Sequence, residues 1–242
     1  MAKFTTDSGV APRGIRSNSA VQEMSLGTKV VTPDGRAFRY VQAGGTALVP
    51  GKLQDGPANN TDNANIAVVL GTAGATAITV TLGSTAATIN EFAEGVIVIN
   101  DEDGQGYTYS IKSHPAADAA ADLVLTLDSD EPIVTALTTS SQATLVPNQY
   151  KDVIIHAASE TGVPVGVAVT AITAEYFGFI QTRGTVACLH DATPAEIGEG
   201  CDASTTTDGC VTESVAPLLQ VGVACVQGVS TEYNPIFLTI DG

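Results

Sequence analysis

Thr32-Pro33-Asp34-Gly35-Arg36-Ala37-Phe38-Arg39-Tyr40-Val41 places a turn between two runs of strand-forming residues. Pro33 presets the first turn dihedral and Gly35 accepts a positive one. Lys29-Val30-Val31-Thr32 before the turn and Arg36 to Val41 after it therefore read as the arms of a β-hairpin. Successive side chains on a strand point to opposite faces, so Phe38 and Tyr40 share one face and Arg39 takes the other. The pattern repeats along the chain, as short β-branched runs punctuated by Gly, Pro and Asn, and the expected fold class is all-β.

Upstream of the hairpin, residues 1–27 alternate Thr, Ser, Gly, Pro and single charges without apolar periodicity. Nothing in them would hold a core by itself, and they read as an extended N-terminal arm. Downstream, Gly44-Gly45 breaks the strand, and Thr46 to Leu53 gives a short one bent at Pro50-Gly51. Residues 54–65 form a polar loop and a domain boundary. A second block follows over 62–148. Ile66 to Leu70, Ala77 to Leu82 and Leu123 to Leu127 are strands. Gly95 to Asn100 is apolar at successive positions, as expected of a strand covered on both faces. Tyr107, Tyr109 and Ile111 line one side of another. Ala116 to Asp122 reads as one helical turn. The strand count suits an inserted β-sandwich or barrel domain.

The last block carries an internal echo: Val165-Gly166-Val167-Ala168 recurs as Val221-Gly222-Val223-Ala224. In the first copy Val163, Val165, Val167 and Val169 should line one face, and the small residues between them should let something approach the backbone closely. Tyr176 to Thr182 and Pro235 to Ile240 are further strands. The expected organisation is an arm over 1–27, a discontinuous small β-barrel or sandwich made from 28–61 plus 149–242 (its strands within 28–60 and 149–242), and an inserted β domain over 62–148.

The formal net charge is −16, unevenly spread. Residues 1–52 hold seven basic against three acidic side chains, a balance of +4. The remainder holds three against 23, a balance of −20. An acidic body repels nucleic acid and anionic membrane, so neither is an expected partner. Met1 to Gly27 has no apolar core of a secretion signal, and no run approaches the ~20 apolar residues of a membrane span. The expectation is a chain made in a bacterial cytoplasm.

Catalytic chemistry has few carriers here. Asp101-Glu102-Asp103-Gly104 misses the spacing of a calcium loop, with Gly at the fourth position and Lys112 at the twelfth, and reads as a solvated turn. Gly104-Gln105-Gly106 lacks the context of a dinucleotide site. His114, His156 and His190 stand beside no nucleophile signature, although a triad assembled in space remains open. Neither an enzyme nor a cofactor is expected. Cys188, Cys201, Cys210 and Cys225 lack zinc-ligand spacing. Cys201 and Cys210 flank a polar loop that a disulfide could close, and four thiols are the alternative preferred for a cytoplasmic product.

Val167-Ala168, Tyr176 to Gly184, an acidic Gly-rich loop and Val221-Gly222-Val223-Ala224 resemble the small β-barrel of tailed-bacteriophage capsid decoration (cement) proteins. Thr32 to Val41, Ala43-Gly44-Gly45 and Leu48-Val49-Pro50-Gly51 resemble the opening of structural proteins from phage head-gene clusters. The resemblance covers most of 28–60 and 149–242, while the longer arm and the cysteines depart from the family pattern. It implies a homotrimer that binds the major capsid protein on the outer surface of the virion and bridges neighbouring capsomers. No catalytic residues carry over. The basic arm is the expected capsid contact, through Lys3, Arg13 and Arg16. Other virion components (tail, fibre or minor head protein) and a carbohydrate-binding adhesive β module are the alternatives. The absence of Trp and an aromatic content of 5% weigh against the latter.

Overall fold

The computed structural model describes residues 14–58, 60–159, 161–215 and 220–241, together with the backbone of 5–6 and 9–10. The protein is all-β. Contacts divide it into two compact units, 1–58 with 149–242, and 59–148.

The unit spanning 59–148 is a closed barrel of six strands. In chain order they are β6 (Ile66–Leu70), β7 (Ala77–Thr81), β8 (Val96–Asp101), β9 (Thr108–Ser113), β10 (Asp122–Leu127) and β11 (Gln142–Val146). Around the barrel they run β10-β7-β6-β11-β8-β9, every pair antiparallel. Closure leaves no free sheet edge. β10 shows why the sequence folds this way: Leu123, Leu125 and Leu127 are buried, while Asp122, Val124 and Thr126 face out. They meet Ile78, Val80, Ile97, Ile111 and Leu145 in one core. A barrel strand has only one inner face, so Val96 and Val98 stay half-exposed while Ile97 and Ile99 are buried. The expected double covering of 95–100 is thereby corrected. Tyr107 is likewise exposed beside buried Tyr109. The expected helical turn at 116–122 is instead a bridge of Ala117 to Ala87 followed by a tight turn, in which the Ala121 amide donates to the Asp118 carbonyl at 3.1 Å and Ala120 takes φ +56°.

The other unit is one curled sheet. Its strands are β1 (Thr5–Thr6), β2 (Gly9–Val10), β3 (Lys29–Val31), β4 (Ala37–Gln42), β5 (Leu53–Asp55), β12 (Ile154–Ile155), β13 (Pro164–Ala168), β14 (Phe177–Leu189), β15 (Gly200–Ala203), β16 (Val211–Glu213), β17 (Gln220–Ala224) and β18 (Tyr233–Thr239). The main path runs β16-β15-β17-β18-β14-β4-β3-β1-β2, and β5 joins β12 and β13 beside it. The Pro33-Asp34-Gly35 turn closes the β3–β4 hairpin, with the Gly35 amide donating to the Thr32 carbonyl at 2.9 Å. Phe38 and Tyr40 enter one apolar cluster with Val30, Phe179 and Ile15.

Of the expected N-terminal arm over 1–27, the described residues 14–27 are held to the sheet through Ile15. It is 9% exposed, and Met24 and Leu26 pack against the same cluster. Ser19 bridges Phe177, and the Glu23 amide donates to the Tyr40 hydroxyl at 3.0 Å. β1 pairs with β3 and β2 with β1, extending the sheet. Scattered apolar residues, without any period, are enough to pin a segment when a sheet face already waits for them.

The echoed Gly166 and Gly222 sit where the backbone of a neighbouring strand passes. A Cβ at either would lie 2.6 Å from a carbonyl oxygen, that of Gln181 or of Phe237. The close approach expected of these copies is made by the sheet itself. The one-face expectation for Val163 to Val169 fails. The register of β13 on β5 shifts between Pro164 and Gly166, and an extra residue in one strand reverses the alternation. Val163 consequently points to solvent at 55% exposure, and Val165 and Val167 enter different clusters.

Candidate functional site

β14 builds the most distinctive surface of the 1–58/149–242 unit. It pairs with β4 from Phe177 to Arg183 and with β18 from Arg183 to Leu189. The two partners lie on opposite sides of β14, and β4 ends in its hairpin turn just where β18 begins. Gly184 to Cys188 therefore pair with β18 alone among the described residues. The gap closes at Leu189, whose amide faces away from β18 and donates to the Gly51 carbonyl at 2.8 Å.

Local sequence shapes the gap. The register of β14 on β4 shifts between Gln181 and Arg183. Gly184 follows with φ at +86°, a conformation that favours glycine. A Cβ there would lie 2.8 Å from Arg36 Cγ, so its absence lets the Arg36 stem lie flat across the strand. Gln181 is buried and its amide nitrogen lies 3.0 Å from the carbonyls of Arg183, Gly184 and Thr185, which share its two N–H donors. The bend is thus a hydrogen-bonded feature of the fold.

Two confluent clefts open along this edge. One, of about 550 Å³, is lined by Asp34, Gly35, Arg36, Arg183, Gly184, Thr185 and Phe237. The other, of about 280 Å³, lies between Arg16, Arg36, Pro50, Gly51, Val169 and Thr185 to Ala187. Arg36 and Thr185 belong to both. Three of the chain's ten basic residues thus converge on one groove of a chain with net charge −16. Asp34 is the one acid in its lining. It pairs with Arg36 Nε at 2.8 Å and accepts from the Thr32 hydroxyl, and these bonds hold its carboxyl below the usual range. The Arg36 guanidinium lies 5.6 Å over the Phe38 ring. Arg183 is exposed and forms no ion pair among the described residues. Phe237, opposite Thr185 in the register, is 42% exposed and gives the groove an apolar wall.

Of the expected contact residues, Lys3 and Arg13 lie outside the described residues. Arg16 lies at the groove, exposed, with Nη1 donating to the Val169 carbonyl at 3.3 Å. Sequence reasoning named Arg16 and missed Arg36, Arg183 and Phe237. Their convergence depends on where two strands stop, which no local pattern marks.

The same unit buries a second polar cluster. His156 is 1% exposed, with Nδ1 2.8 Å from Asp55 and Nε2 2.9 Å from the Ser204 carbonyl. Both ring nitrogens face acceptors, so both donate and the ring is an imidazolium. Burial alone would lower its pKa; the hydrogen bond and charge of Asp55, helped by the Ser204 carbonyl, outweigh that and raise it. The Ser204 hydroxyl donates instead to Asp191, at 2.6 Å. This His–Asp–Ser set is therefore wired as a loop clamp: the imidazole addresses a carbonyl, and no side chain of the set opens to solvent. His190 is buried and its ring nitrogens meet no partner among the described residues, so desolvation lowers its pKa and keeps it neutral. His114, in the barrel, accepts from the Phe92 amide at 2.9 Å. Among the described residues no group of three or more His, Cys, Asp or Glu is arranged to hold a metal ion.

All four cysteines are free thiols. The Cys201–Cys210 link, the less favoured option from sequence, is not made, and register keeps the two apart. Cys201 stands opposite Glu213, whereas Cys210 stands opposite Ser204, three residues further along β15 and its continuation. That is roughly 10 Å, beyond the ~7 Å between α-carbons that a disulfide spans.

No family model, no curated protein and no solved structure matches this chain.

Proposed function

We propose that this chain is a virion structural protein that binds the outer surface of a phage capsid, as a homotrimer on the major capsid protein, and stabilises it by bridging neighbouring capsomers. The observation that carries the proposal is the arginine groove on the β14 edge. It is a concentrated positive docking surface on an otherwise acidic chain, and it combines charge with an exposed aromatic wall. The resemblance of the β13, β14 and β17 segments to capsid decoration barrels supplies the class of partner. A cross-linking protein needs no strong single contact, because several weak ones on a symmetric oligomer multiply through effective concentration. The acidic remainder would face solvent and keep particles from associating.

The test is co-sedimentation of the purified chain with expanded capsids that lack it, followed by cryo-EM of the particles. The expected result is saturable binding at hundreds of copies per capsid. Absence of binding, or a handful of copies at one vertex, overturns the proposal and favours a tail or minor head component.

A further inference from the structure

We propose that the β14 gap takes an extended acidic segment of a partner protein as an added strand. This rests on the groove being the partner-binding face, and it names what the partner must present there.

The ladder directs the available hydrogen bonds. The His190 amide donates to the Glu232 carbonyl of the β18 side at 3.0 Å, while the Leu189 amide points the other way, to Gly51. Residues two apart on a strand share direction, so the amides of Ala187 and Thr185 also face away from β18, into the groove. The Thr185 carbonyl is already taken by Gln181. Among the described residues, what remains is two amide donors and the Ala187 carbonyl, on a short stretch in which Thr185 and Ala187 are exposed. Two donors and one acceptor are the pairing surface of a short strand, as in β-augmentation.

Charge decides the kind of strand. Arg16, Arg36 and Arg183 line the clefts and Asp34 offsets one of them, a net of +2. An incoming segment places alternate side chains on one face. Carboxylates on that face would meet the arginines beside the Phe237 wall. A basic segment is repelled, and a helix cannot supply the backbone groups that Thr185 and Ala187 require.

The experiment uses the full-length chain labelled with nitrogen-15 and three synthetic octapeptides. The acidic probe is Thr-Glu-Val-Glu-Thr-Glu-Val-Glu; the others carry Lys or Gln in place of Glu. The expected result is saturable shifts of the Thr185 and Ala187 amides with the acidic peptide, weakened several-fold from low salt to 0.5 M NaCl, and no response to the Lys peptide. Arg16→Glu with Arg183→Glu should weaken the acidic peptide at least about tenfold. Ala187→Pro removes a donor facing the groove and sits opposite Pro235, so the β18 ladder is spared; it should weaken binding with an unchanged melting temperature. If Ala187→Pro proves unstable, the double charge reversal stands as the test. Equal binding of the Gln or Lys peptide, shifts confined to other amides, or no shift at millimolar acidic peptide overturns the proposal. If the double variant still binds capsids while the peptide fails, strand addition falls and capsid binding stands. If the peptide binds at Thr185 and Ala187 but capsids are ignored, strand addition stands and the capsid assignment falls. Loss of self-association in the double variant, with no response to peptide, assigns the groove to a second copy of this chain and overturns the partner proposed.

Discussion

Arg39 grips Asp241 with two parallel hydrogen bonds, Nε at 2.9 Å and Nη2 at 2.8 Å, across 202 positions of sequence. Lys29 adds a contact at 3.4 Å, and the Thr182 hydroxyl donates to the same carboxylate at 3.1 Å. One residue near the C-terminus thus ties β3, β4 and the bulge of β14. The pair is mostly shielded, with 26% and 16% of the side chains exposed, so screening by solvent is limited. Asp241→Asn should cost about 1–3 kcal/mol, in line with hydrogen bonds to charged groups, read as a lower denaturant midpoint for this unit. An unchanged midpoint would show the fork to be ornamental.

The same carboxylate gives a pH dependence. Burial would raise its pKa, but Arg39, Thr182 and Lys29 outweigh burial and hold it below the usual range. A depressed folded-state pKa stabilises above the unfolded value, near 3.9, and that stability is lost as pH falls below it. The wild-type chain should lose stability between pH 4 and pH 2, and Asp241→Asn should flatten that part of the profile. A profile of identical steepness in both proteins would place the acid sensitivity elsewhere.

The sign is opposite at His156. Its folded pKa is raised, so its contribution is complete below about 6.5 and lost as pH rises through the folded value. Stability should therefore decline above neutrality, and the imidazole nitrogens should carry the NMR shifts of an imidazolium at pH 6.5. His156→Ala leaves Asp55 buried without its partner and should cost about 3–5 kcal/mol, the penalty of breaking a buried pair. His156→Ala with Asp55→Asn should recover part of that loss. A ring that titrates as neutral at pH 6.5 would overturn the charge assignment.

What the sequence discloses here follows the range of the physics involved. The β3–β4 hairpin was legible because Pro33, Asp34 and Gly35 encode their turn within a few residues. β10 was legible because its alternation has period two over its whole length. Val163 was misread because a bulge, set by how β13 meets β5, reverses the alternation partway along. Ile15, Met24 and Leu26 were missed because single apolar residues gain meaning only from the Phe38–Tyr40 face that receives them. The groove was least legible of all: its arginines lie at positions 16, 36 and 183, and it exists because β4 stops where β18 starts.

That packing changes what a truncation should do. Removing 1–13 leaves Ile15 and its contacts in place, and the chain should remain folded with nearly unchanged cores. Removing 1–27 strips Ile15, Met24 and Leu26 from their cluster and takes away Gly27, whose carbonyl accepts from Arg39 at 2.8 Å. At about 1.5–3 kcal/mol for each large apolar side chain fully buried, with less for the partly buried pair, the longer deletion should lower stability by several kcal/mol. Circular dichroism melts of the two variants decide this. If both melt alike, residues 14–27 contribute nothing to the core.

The thiols should react in an order set by burial. Cys188, Cys201 and Cys210 are buried, and Cys225 is half-buried. Burial pushes the Cys188 thiol well up and the Cys201 thiol up to about 12, with nearby charges adding to burial at each. Alkylation proceeds through the thiolate, so these two are doubly protected: inaccessible and protonated. Burial raises Cys210 as well, opposed by the charge of Lys52. Iodoacetamide on the native protein at pH 8 should label Cys225 first, and label the other three only as the unit opens. Intact mass before and after denaturation reads the count, and peptide mapping reads the site. Simultaneous labelling of Cys188 and Cys225 would mean the β14–β18 interior opens far more readily than its packing allows. A loss of two mass units that links Cys201 to Cys210 would mean the β15–β16 register shifts by three residues in solution.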